Sequence, residues 1–298
     1  MQTVSLAGYS DKLSGRPGDE INFMVSSQLD APYEARLFRS ISADPNPAGA
    51  GLVEHGCETF FPDQKFPSRR QSFHPGSHLL SVAPLVLGAQ RAISMSLLVY
   101  PTLQTPATQT LLSFGRFALE LNAQGGLTLR AGAVAISTPE AATFRQWSRV
   151  QATVEASGQM SIFLEGLSVS PTQTHAQTDG GAVDLSQQEV VMIAAAPGAE
   201  GAVSCFNGKI EAPQITADDH VIAAWDFARN ISGMTVPAQV GPDLALVNVP
   251  TRAVTGALWD ASEMNWRHKP AHYAAISFHQ DEIYDFDWEA DFSFVIPP

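Results

Sequence analysis

WSRVQATVEASGQMSIFLEG, residues 147–166, is the stretch whose pattern sets the fold class. Val150, Ala152 and Val154 alternate with Arg149, Gln151, Thr153 and Glu155, so an extended chain places apolar groups on one face and polar groups on the other. Ala156-Ser157-Gly158-Gln159 supplies turn chemistry, and Met160, Ile162 and Leu164 resume the period of two until Glu165-Gly166 ends it. The spacing predicts a β-hairpin with one greasy side. Such a hairpin is not stable alone in water, so other strands must cover that side.

The surrounding sequence offers those strands. AISMSLLVY (92–100) puts Ile93, Met95, Leu97 and Val99 on one face, and RFALELNAQGGLTLRAG (116–132) reads as a second hairpin turning through Ala123 to Gly126. GSHLLSV (76–82), LLSFG (111–115), QEVVMIAAAPG (188–198) and SCFNGKIEAPQI (204–215) add further short strands. Thr138-Pro139-Glu140 predicts one short helical turn, with Thr138 as N-cap and Pro139 at the first position. Sustained helical periodicity is absent, and turn signals recur every ten or so residues. The expectation is an all-β sandwich.

Before this region, SGRPG (14–18) is a turn, Ile21, Phe23 and Val25 alternate, and Tyr33, Ala35 and Leu37 form a second apolar face. These resemble the opening of an immunoglobulin-like sandwich that stops before it closes. DPNPAGAG (44–51) follows, and its prolines and glycines read as a connector and a domain boundary.

Composition limits the function. Of 298 residues, 45% are hydrophobic and 16% charged, which is a folded chain with ample material for a core. The net charge of −13 repels nucleic-acid phosphate and anionic lipid alike, so neither is an expected partner. No run approaches the roughly 18 apolar residues of a membrane span, and MQTVSLAGYSDK has no secretion-signal pattern, so the expected location is the cytoplasm. Cys57 and Cys205 match no metal spacing and are expected to be separate reduced thiols.

The motif order carries a resemblance. A strand ending in Tyr100-Pro101, then LLSFG, the Gly125-Gly126 hairpin, Trp147-Ser-Arg-Val150, Gly158-x-x-x-Ile162-x-Leu164-x-Gly166 and Phe206-Asn-Gly-Lys-Ile210 is similar to the laminin-G or concanavalin-A-like jelly roll. A second resemblance covers the whole chain. GYSDKLSGRPGDEINFMVSS (8–27), AAWDFARNISG (223–233), LVNVPTRAVTGALWD (246–260), MNWRHKPAHYAAISFHQDEIYD (264–285) and DWEADFSFVIP (287–297) resemble the N-terminal part of the large subunit of N,N-dimethylformamidase-like proteins. Together they imply a jelly roll at 44–250 inserted into a discontinuous immunoglobulin-like domain made of 1–43 and 251–298. They imply an N-terminal portion of an amidohydrolase whose mononuclear iron is held by tyrosine and glutamate further downstream. No cofactor and no catalytic or metal-binding residue is then expected in this chain. The partners implied are the downstream catalytic domain and a small subunit or further copies of the chain.

Six residues stand out as candidate interface or ligand contacts. His268 and His272 have helical zinc-pair spacing, but Pro270 between them breaks the backbone ladder. Asp285 lies in the acidic, aromatic stretch 281–291, which lacks the glycine-pivoted spacing of a calcium loop. Trp259, Trp266 and Trp288 belong, with Trp225, to a C-terminal concentration of tryptophan read as packing between domains. Glu120, Glu155 and Glu165 sit on separate strands and do not form a glycosidase pair. The expected function is a non-catalytic structural or docking module; the alternative is a carbohydrate-binding module using the tryptophans on a glycan.

Overall fold

A computed structural model describes residues 5–167, 173–179, 181–260, 269–284 and 288–297. Regular structure is almost entirely antiparallel strand, and the one helical element among the described residues is a 3-10 turn, Pro270–Tyr273. The chain divides into a unit of residues 74–285 and a unit made of residues 1–73 with 286–298.

These divisions differ from the boundaries expected at 43/44 and 250/251. Residues 44–51 are not a linker: they close a hairpin in which Phe38–Ala43 pairs with Leu52–Gly56. Asp44 Oδ1 accepts the Asn46 N–H at 2.9 Å, Asn46 Oδ1 accepts the Ala48 N–H at 3.0 Å, and Gly51 takes a positive φ of 69°. At the other end, Thr251–Val254 and Ala275–Phe278 pair with each other and join the larger unit's sheet on Gly208–Ala217.

The larger unit is a sandwich of two antiparallel sheets. One runs, edge to edge, Val134–Ala141, Gly126–Ala131, Phe117–Leu121, Gln109–Phe114, Val191–Ile193, His78–Ser81, Leu244–Val247 and Thr235–Val236. The other runs Gln173–Asp179, Gln159–Gly166, Ser148–Glu155, Ala92–Pro101, Gly208–Ala217, His220–Trp225 and Ala238–Val240. The hairpin of 147–166 lies in this second sheet with the predicted face inward. Val150, Ala152 and Val154 pair with Leu164, Ile162 and Met160 on one side and with Leu97, Met95 and Ile93 on the other. All nine are buried and share one core with Phe114, Leu119, Leu129 and Phe206. Trp147 tilts against Tyr100, ring centroids 5.4 Å apart, at the start of its strand.

The helical turn expected at Thr138 is instead part of the edge strand Val134–Ala141. An edge tolerates Pro139 because no neighbour needs its missing N–H. Thr138 Oγ1 accepts the Leu127 N–H at 3.0 Å and donates to the Glu140 carbonyl at 2.7 Å, where the register with Gly126–Ala131 slips. Both cysteines are unpaired: Cys57 is half-buried, and burial pushes the Cys205 thiol up to about 11.

The smaller unit has a three-stranded sheet in which Glu20–Ser27 lies between Leu6–Ser10 and Phe292–Val295. The turn between its first two strands contains the predicted SGRPG, with Gly18 at φ 91°. Tyr33–Ala35 does not join this sheet; it pairs with Gln64–Phe66. Phe292 stacks between Phe66 at 4.4 Å and Phe23 at 5.0 Å. Arg69 pairs with both Glu289 and Asp291, and Asp291 Oδ2 also accepts the Val25 N–H at 2.8 Å. The late acidic residues Glu289 and Asp291 are therefore internal staples of this unit. The unit is β throughout, with fewer sheet strands among the described residues than the about seven of an immunoglobulin constant domain.

Candidate functional site

Along Gly208–Ala217 the core-facing residues include Ile210, Ile215 and Ala217. Glu211 follows Ile210 and so belongs to the opposite face, where water is expected. It is nevertheless only 7% exposed. Two segments enclose it: Ala275 pairs with Glu211 along the strand, and the turn after Val254 brings the Ala257 N–H to Glu211 Oε2 at 2.7 Å. Gly256 makes this approach feasible, since a Cβ there would come within 2.5 Å of Glu211 Oε2. Immediately beyond, Ala212 has a φ of 48° and the register against Ala92–Pro101 shifts between Glu211 and Gln214. This bulge turns the backbone at the acid.

Glu211 lines a cleft of about 400 Å³ within the larger unit. Asp226 supplies a second carboxylate, Gln239 an amide, and Trp225, Phe227, Pro270 and Ala271 apolar wall. Trp225 is fixed by its Nε1 donating to the Pro242 carbonyl at 2.8 Å. Asp226 Oδ1 accepts the Ala228 N–H at 3.0 Å. Burial raises the Glu211 carboxyl above its ordinary range, the Ala257 N–H partly offsets this, and the Asp226 charge adds to the rise. Glu211 Oε1 has no hydrogen-bond partner among the described residues.

Two cations near the cleft are already committed. Arg252 donates to the carbonyls of Arg229, Asn230, Gly233 and Thr235 at 2.7–3.1 Å, holding the turn that follows Phe227. Lys209 donates to Thr255 Oγ1 at 2.7 Å and lies over the Tyr100 ring at 5.1 Å.

The six residues singled out by sequence separate. Trp266, His268 and Asp285 lie outside the described residues. His272 and Trp259 sit on the segments that wall the cleft without lining it: the Gly256 N–H donates to the His272 carbonyl at 2.9 Å, and the Trp259 N–H to the Gly256 carbonyl at 3.2 Å. His272 Nδ1 is 3.6 Å from Asp260 Oδ1. Trp288 belongs to the smaller unit, where its Nε1 donates to the Ser72 carbonyl at 2.7 Å and its ring tilts against Tyr9 and Phe73. Trp225 is buried in the core of the larger unit. Glu211 itself went unmarked by sequence reading. Its signal is a lone acid between Ile210 and Ala212 in a strand.

Elsewhere, Glu120 pairs with Arg130 at 3.3 Å, Glu165 with Arg149 at 3.0 Å, and Glu155 accepts from Ser157 at 3.0 Å. A second cleft of about 360 Å³, around Leu103, Thr105, Asn122 and Phe144, has no ionisable side chain in its lining. Among the described residues no three His, Cys, Asp or Glu side chains come together to hold a metal ion. No helix among them is long and apolar enough to cross a membrane.

Two curated relatives match the whole chain. The N,N-dimethylformamidase beta subunit of Paracoccus aminophilus is 29% identical over 353 aligned positions, and that of Alcaligenes sp. is 26% identical over 355. Each alignment takes in 100% of this chain and 46% of the relative, so the chain spans just under half the length of the proteins it matches. No protein-family model matches the sequence. Among solved structures, domains LG4-5 of the mouse laminin alpha1 chain align with 74% of this chain and 56% of their own at 16% identity and a TM-score of 0.36. The fold description therefore rests on the strand order itself. AAWDFARNISG, which lines the cleft, and LVNVPTRAVTGALWD, which supplies the Ala257 N–H, are two of the five motifs that carried the resemblance to the formamidase subunits.

Proposed function

We propose that this chain is a non-catalytic N-terminal β-sandwich region of the large subunit of an N,N-dimethylformamidase-like amidohydrolase, where it serves as a structural and docking module. The observation that carries this reading is the alignment of the entire chain with less than half of each relative. On this reading the larger unit is a concanavalin-A-like jelly roll, the smaller one a discontinuous immunoglobulin-like domain, and the protein cytoplasmic. The amide-cleaving centre, with its iron, belongs to the part of the subunit that this chain does not include. Its partners are that catalytic part and a small subunit or another copy.

A direct assay tests the proposal. The purified chain is incubated with N,N-dimethylformamide, with and without added ferrous iron, and dimethylamine is quantified; no turnover above the buffer rate is expected. Co-expression with the downstream region is expected to yield a co-purifying, active assembly. Turnover by this chain alone would sink the non-catalytic reading.

A further inference from the structure

We propose that the cleft beside Glu211 is a binding site for a small alkylammonium ion, which donates an N–H to Glu211 Oε1, shares its charge with Asp226 and lays its alkyl groups against Phe227, Pro270 and Ala271. This goes beyond the docking role and does not depend on it.

The argument begins with an incomplete pairing. Glu211 is 93% withdrawn from solvent by its 7% exposure, and Ala257 satisfies only Oε2. Oε1 is not enclosed but opens to the cleft as an acceptor that no side chain of the described residues fills, and a second carboxylate nearby raises the cost of its charge. Asp226 is that second carboxylate, and it lines the same cleft. Among the described residues, the two cations flanking the cleft are engaged elsewhere: Arg252 is held by four backbone carbonyls and Lys209 by Thr255 and the Tyr100 ring. The cleft therefore offers an acceptor, a net negative charge and a hydrophobic wall in one place.

Those three features select the ligand. A divalent cation is poorly served, because calcium takes about six to eight oxygen ligands and this lining offers two carboxylates and one side-chain amide. An anion is repelled. An ammonium ion with one to three small alkyl groups meets all three features, and a volume of about 400 Å³ admits it. A quaternary ammonium has the charge and the alkyl groups but no N–H, so it isolates the contribution of Glu211 Oε1.

The test is a titration of the isotopically labelled full chain at pH 7 with methylammonium, dimethylammonium and tetramethylammonium chlorides, read by amide chemical shifts. Saturable shifts at Ala212, Gln239, Ala257 and Ala271 are expected, with dimethylammonium binding about tenfold more tightly than tetramethylammonium. Glu211→Gln, which keeps an acceptor for the Ala257 N–H, is expected to weaken dimethylammonium about tenfold. Asp226→Asn, at the less buried acid, is expected to weaken it less. The proposal is overturned if the shifts match those from sodium chloride, if tetramethylammonium binds as well as dimethylammonium, if the folded Glu211→Gln protein keeps the parent affinity, or if calcium binds the cleft more tightly than any ammonium ion.

Discussion

Glu211 is enclosed by a strand, a turn and the base of a 3-10 helix, and each acts differently on its carboxyl group. Burial works against the charge, the Ala257 N–H favours it, and Asp226 opposes it again. A carboxyl whose folded value lies above its ordinary 4.5 binds more protons folded than unfolded between those two values. Its contribution to stability is present at low pH and is lost as pH rises through that window. Glu211→Gln is therefore expected to melt at a higher temperature than the parent at pH 7, with the difference closing as pH falls toward 4.5; a lower melting temperature at pH 7 would contradict the assignment. Arg252 acts on a neighbouring turn by geometry more than by charge. Its planar fork reaches four carbonyls between Arg229 and Thr235, which a lysine ammonium cannot span. Arg252→Lys is expected to cost about 2 kcal/mol in urea unfolding, and a change within about 0.5 kcal/mol would show that those bonds add little.

At the scale of elements, the hairpin of Ser148–Glu155 and Gln159–Gly166 carries its inward residues between two neighbours that were equally legible. Ile162 is fully buried, opposite Ala152, with Leu119 and Leu129 of the other sheet in the same core. Ile162→Ala is expected to destabilise by about 3 kcal/mol through lost burial and an incompletely filled cavity, measured by denaturant titration. This element could be read from sequence because strand, turn and strand are adjacent and the period of two is local. The turn at 44–51 could not be distinguished from a linker by the same means, since proline and glycine chemistry closes a hairpin and loosens a connector alike. Pro139 misled for a related reason: a proline after threonine also suits an edge strand, and which strand is an edge depends on the whole sheet. The cleft was less legible still. Glu211, Asp226, Gln239, Ala257 and Ala271 meet only after the chain returns across its own sheet, so no spacing announces them.

Across the whole molecule the two units differ in how their strands are supported. The larger unit has one extensive core, whereas Phe38–Ala43 and Leu52–Gly56 form an isolated ribbon with nearly every residue exposed. Phe38, Ile41 and Leu52 stand in solvent on that ribbon at 49%, 54% and 70% exposure. Limited proteolysis is expected to cut first within 44–51 and to leave residues 74–285 as a resistant fragment; primary cleavage inside the larger unit would reverse that ranking. The smaller sheet has a further consequence, for synthesis on the ribosome. Glu20–Ser27 finds its second neighbour only in Phe292–Val295, on the far side of all 212 residues from His74 to Asp285. At about 5–20 residues per second, Glu20–Ser27 waits on the order of tens of seconds for that neighbour. Through that interval one edge of Glu20–Ser27 is an open template for chaperones or for a neighbouring nascent chain.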